Sequence, residues 1–116
     1  MKRFVPMLLL LSMVPSAGAD DSADKVLTEV KAMGRLNGQA LACSRSESVA
    51  RIKALMIKLT PKSRLYGAEF EAATNESFLA QTRNEQATCQ DASLLSELVE
   101  DEAKRLQAAL ADAVPK

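Results

Sequence analysis

Beyond about residue 20 the apolar side chains recur at intervals of three and four, the period of an α-helix, and no β-branched run alternates as a half-buried strand requires. Val26, Val30 and Met33, with Leu27 beside them, form a first stripe over roughly 22–41. Gly34 and Asn37-Gly38 interrupt its second half, so this helix either stops there or continues, kinked, to Cys43. Ser44-Arg45-Ser46-Glu47 fits a capping box, in which a Ser oxygen and a Glu carboxylate satisfy the free N–H groups of a helix start. Val49, Ile52, Leu55, Met56 and Leu59 follow at helical spacing, with Glu47 and Arg51 placed to pair one turn apart. Thr60-Pro61 ends this second helix and is suited to open a third, because Thr caps well and Pro is tolerated at the first helical position.

The third helix is expected from Lys62 to Gln81. Tyr66, Phe70, Ala73 and Ser77 share one line, widened by Thr74 and Phe78. This face gathers nearly all the aromatic surface beyond residue 19, which marks the helix as the expected centre of the core. Residues 82–88 carry no apolar repeat and read as a loop. A fourth helix should begin after Asp91 as N-cap and run on Leu95, Leu98, Val99, Ala103, Leu106 and Leu110 until Pro115. Glu100 with Lys104, and Asp101 with Arg105, are acid-first pairs one turn apart. The fold class is therefore all-α, a small three- or four-helix bundle.

The first nineteen residues follow a different rule. Lys2 and Arg3 precede an apolar run from Phe4 to Val14, and Ala17-Gly18-Ala19 offers a small-x-small cleavage point, so 1–19 reads as a cleaved signal peptide. The run is too short for the ~20 residues that span a bilayer, and no stable membrane insertion is expected after cleavage. Residues 20–116 are then a single helical domain, periplasmic or secreted. Export gives the two cysteines, Cys43 and Cys89, an oxidising compartment, and with only two the pairing is forced. Such a bridge is worth about 4 kcal/mol in the chain-entropy view.

Composition narrows the chemistry. The 116 residues contain no His, which excludes Ser-His-Asp and Cys-His catalysis and His-ligated zinc or haem. Fifteen cations balance fifteen carboxylates, so no basic field favours nucleic acid as a partner. No cofactor or metal is expected: Met33 and Met56 lie on apolar stripes, as core residues do. Glu69 and Glu76 share a helix face but stand roughly 10 Å apart along it, and with Glu71 they make no recognisable acid–base pair.

Balanced in total, the charge is uneven along the chain. Residues 44–65 hold six cations against Glu47, whereas 66–102 hold nine carboxylates against Arg83. Opposite fields of this kind help adjacent helices pack and solvate their outer faces. Where they instead form a binding surface, the junction of the second and third helices is the place expected, because Lys58, Lys62, Arg64 and Tyr66 gather around one turn.

In outline, an export signal, a short helical chain and two widely spaced cysteines, with Ala87-Thr88-Cys89-Gln90-Asp91 leading into a long charged helix, the protein resembles the small acid-stress chaperones of the bacterial periplasm. Helical immunity proteins of type VI secretion systems are similar in the same broad way. The first resemblance implies exposure of apolar surface in acid. Without His, little titration is expected between pH 7 and 5 unless a carboxylate is shifted upward. The sequence leads to a non-enzymatic exported protein that binds a protein partner as inhibitor, immunity factor or accessory subunit. The alternative is a chaperone that takes many clients at low pH.

Overall fold

The computed structural model describes residues 19–83 and 88–113. Of the expected export signal, 1–19, all but Ala19 lies outside the described residues, as does Pro115. Four helices make up the fold: α1 (Ala19–Ala42), α2 (Ser46–Leu59), α3 (Arg64–Arg83) and α4 (Ala92–Ala113). Among the described residues there is no strand.

The organising element is α1, which packs on all three other helices, while α3 packs on α1 alone. This corrects the expectation that the aromatic helix is central. Only Ala73 and Thr74 of α3 are buried, and Phe78 is 37% exposed. The central helix instead carries the Val26, Val30, Met33 and Ala40 stripe, each residue wholly buried. Met33 meets Ile52 and Leu55 of α2 and Val99 and Ala103 of α4, while Val26 and Val30 meet Leu106 and Ala109. The stripes on α2 and α4 are thus buried much as their spacing requires.

Of the two outcomes open to α1, the helix continues unbroken past both glycines. The glycines sit on the face turned to α3. A Cβ on Gly34 would lie 2.7 Å from the Phe70 carbonyl oxygen and 2.9 Å from the Ala73 Cβ. One on Gly38 would run into the Thr74 carbonyl oxygen and stand 2.7 Å from the Phe78 nitrogen. No side chain fits, so the two backbones come together as they do at small-xxx-small crossings. Ser77 donates to the Arg35 carbonyl at 2.7 Å, and Asn37 donates to the Thr74 hydroxyl at 3.3 Å, across the same seam.

Chain reversals differ from expectation at two places. Ser44 does not cap α2. It ends α1 in the left-handed region, φ 57°, where the Arg45 N–H reaches the Ala40 carbonyl at 2.8 Å and the Ser44 N–H reaches that of Leu41 at 3.3 Å. This is a Schellman ending with Ser where Gly is usual. Arg45 is left as the N-cap of α2 with no side-chain bond, so the capping box does not form. Nor does Thr60-Pro61 open α3. Thr60 is extended, φ −90° and ψ 132°, as a residue before Pro prefers, and Ser63 is the N-cap, its hydroxyl accepting the Tyr66 N–H at 3.4 Å. Asp91 does precede α4 as expected, with its carboxylate accepting the Ser93 hydroxyl at 2.7 Å.

Cys43 and Cys89 are bridged, their Cα atoms 5.7 Å apart. The bond joins the α1–α2 turn to the approach of α4, and Arg45 donates to the Gln90 carbonyl beside it at 2.8 Å.

Candidate functional site

The turn between α2 and α3 brings chemistry to one place because the helices diverge from it. Neither packs on the other, and the wedge between them is an open groove of about 260 Å³. Met56 of α2 and Tyr66 and Phe70 of α3 supply its half-buried apolar lining, while Pro61, Lys62 and Glu71 stand at the rim with exposed side chains. Ile57 also lines it and is 66% exposed, the most exposed of the large apolar side chains among the described residues.

Of the four residues singled out in the sequence, Lys62 and Tyr66 line this groove, whereas Lys58 and Arg64 are exposed cations outside its lining. Ion pairs among the described residues engage Lys25, Lys31, Arg51 and Arg105, and none engages Lys53, Lys58, Lys62 or Arg64. The basic stretch is therefore spent on internal packing only in part. Ile57, Gly67 and Phe70 complete the groove, and the sequence reading did not place them there. Ile57 gave a signal in falling off the α2 stripe, and Gly67 in interrupting a helix.

A second, more polar cleft of about 570 Å³ lies between the start of α2 and α4. Its centre is a two-pronged contact in which Arg51 Nε and Nη2 donate to Glu100 at 2.7 and 2.9 Å. Both residues were expected to pair within their own helices, Arg51 with Glu47 and Glu100 with Lys104. The planar fork of the guanidinium matches a carboxylate better than either alternative, and it ties α2 to α4. Hydrogen bonding to Arg51 holds the Glu100 carboxyl below its ordinary range, and Ser93 does the same for Asp91.

The third feature is Glu102, 2% exposed and set in the apolar stripe of α4. Arg105 donates to its Oε1 at 3.1 Å and also stands 4.0 Å from Glu29 of α1, so it does not form the expected pair with Asp101. The other oxygen, Oε2, is buried without a donor. Burial, then hydrogen bonding to Glu29, pushes the Glu102 carboxyl up to about 7, against the pull of Arg105. Glu102 is thus the upward-shifted carboxylate that the lack of His made the condition for titration near neutrality.

The other carboxylates and methionines once weighed for chemistry have ordinary surroundings. Glu69 pairs with Lys31 at 3.7 Å, and Met33 is wholly buried in the core. Among the described residues no three His, Cys, Asp or Glu side chains are placed to hold a metal ion, and no helix is long and apolar enough to cross a membrane. No protein family, no curated protein and no solved structure matches the chain.

Proposed function

We propose that this is a non-enzymatic, exported protein that binds one protein partner, as an inhibitor, immunity factor or accessory subunit, through the α2–α3 junction. The observation that carries the reading is the groove itself, an apolar wedge rimmed by Ile57 and Lys62, at a junction whose cations Lys58, Lys62 and Arg64 form no ion pair among the described residues. Exposed apolar surface with a polar rim is the usual anatomy of a docking site. The disulfide suits an oxidising compartment such as the periplasm.

Affinity capture from periplasmic extract with the oxidised protein tests this, at pH 7 and again near pH 3, with mass spectrometry of what is retained. One stoichiometric protein at pH 7 is expected. Reversal of Lys62 and Arg64 to Glu should weaken its binding by at least roughly tenfold, as charge reversal at a steering rim does. Undiminished affinity rejects the junction as the contact. Many proteins retained only in acid would give the function to a chaperone instead.

A further inference from the structure

The three glycines of the helices divide sharply by their surroundings. Gly34 and Gly38 are demanded by the fold, since a Cβ on either meets backbone. Gly67 is not, for a Cβ there would meet nothing within 4 Å. Yet Gly67 lies inside α3, three positions beyond its first residue, where Gly costs about 1 kcal/mol of helix stability relative to Ala. No intramolecular contact returns that cost, and its bare backbone lies in the wall of the groove.

The elements around it set the shape and charge of what fits. Since α3 packs on α1 alone, its flank toward the wedge has room for another rod, and a backbone without a side chain permits the short interaxial distance of a small-residue crossing. Ile57, 66% exposed, stands in the lining and presents aliphatic surface. Lys62 stands in the lining and Arg64, two positions on, is exposed and forms no ion pair among the described residues, with Glu71 the one carboxylate in the lining. We infer that the groove receives the face of an acidic amphipathic helix from the partner protein, its leucine-like ridge over Gly67 and its carboxylates toward Lys62 and the adjacent Arg64. This inference rests on the partner-binding reading above and names the chemistry of that partner. The mode is a helix laid in a hydrophobic groove, with affinity from the apolar ridge and selectivity from charge.

The probe is a pair of amphipathic peptides of about 18 residues, long enough to hold helix in isolation, with leucine on one face and either glutamate or lysine on the other. Each is titrated into the oxidised full chain and followed by two-dimensional amide NMR. The glutamate peptide should move the signals of Ile57, Lys62 and Gly67 and bind at least roughly tenfold more tightly than the lysine peptide, with the difference shrinking in high salt. Gly67→Leu places a side chain in open space, so the fold should persist while the glutamate peptide loses at least roughly tenfold in affinity; reversal of Lys62 and Arg64 to Glu should exchange the preference. Equal binding of both peptides, signal changes confined to other surfaces, undiminished binding by Gly67→Leu, or no change at millimolar peptide would each overturn the inference. Concentration-dependent movement of the same signals without peptide would give the groove to a second copy of the chain, and also overturn it. Failure here is separable from failure of the function: a single captured protein held equally by the native chain and by Gly67→Leu keeps the partner and rejects the acidic helix in this groove.

Discussion

One helix, α1, builds two interfaces by opposite means. Toward α4 and α2 it presents Val26, Val30 and Met33, and the seam is held by the volume of aliphatic side chains removed from water. Toward α3 it presents Gly34 and Gly38, where the backbones come too close to admit a side chain, with Asn37 and Ser77 supplying hydrogen bonds across the seam and Tyr66 and Phe70 packing beside it. The first interface tolerates a buried acid, Glu102, because Arg105 and Glu29 lie within reach of it. The second has no slack, since a backbone carbonyl cannot step aside as the end of a side chain can. Buried volume therefore joins α1, α2 and α4, whereas close backbone approach joins α3 to α1.

The most disruptive change to the first seam is Leu106→Ala, which empties a wholly buried site and should cost about 3–4 kcal/mol in urea unfolding. Every helix should share that loss. Gly38→Val attacks the second seam instead, and its collision with the α3 backbone should cost about 3 kcal/mol, at the upper end for overpacking. Here the contrast is tested directly: hydrogen exchange should show α3 losing protection while the Val30, Leu55 and Val99 amides keep theirs. Uniform loss across all four helices would mean that the seams are one cooperative unit.

The third change sharpens the electrostatic side of the comparison. In the unfolded chain a Glu titrates near its ordinary 4.5, whereas in the fold Glu102 is pushed up to about 7. Between these values the folded state holds the extra proton, so stability falls as pH rises through the window and is greatest at its acid end. Lowering the pH from 8 to 5 should therefore raise stability, measured as the urea midpoint, and Glu102→Gln should flatten the profile. An unchanged slope in that variant would mean that the proton is held elsewhere. Asp91 and Glu100 act in the other sense. Their carboxyls are held below the ordinary range, so what they contribute is lost as pH drops below about 4. Acid-driven opening of the kind implied by the chaperone resemblance would have to come from strong acid, because mild acid tightens the α1–α4 seam. The smallest effect concerns the α1–α3 hydrogen bonds: Ser77→Ala removes the 2.7 Å bond to the Arg35 carbonyl and should cost about 1 kcal/mol in the same assay.

Much of the first seam was legible in the chain. Val26, Val30 and Met33, Ile52 and Leu55, and Leu95, Val99 and Leu106 are buried where their periodicity places them, and Cys43 and Cys89 join. The second seam was written in a form that a hydrophobic stripe does not capture. Gly34 and Gly38, four apart, read as a weakness in α1, yet they are its contact with α3, and Ala73 and Ser77 complete that contact with equally small side chains. Tyr66, Phe70 and Phe78 pointed to a central α3, but aromatic rings on a line show only which face is apolar, not how much of it another helix covers. At the junction Lys62 and Tyr66 were identifiable by chemistry, while Ile57 and Gly67 needed the divergence of two helices to gain meaning.

What the sequence by itself determined is therefore whatever depends on neighbours along the chain: helical period, the breaks near residues 43, 60 and 90, and a cysteine pairing with no alternative. Tertiary structure alone decided what depends on distance between helices. Arg51 chose Glu100 of α4 over Glu47 of its own helix, and Arg105 reached Glu29 of α1 rather than Asp101. Each choice compares a local partner with one brought from a distant part of the chain, and only the packed backbone supplies the second.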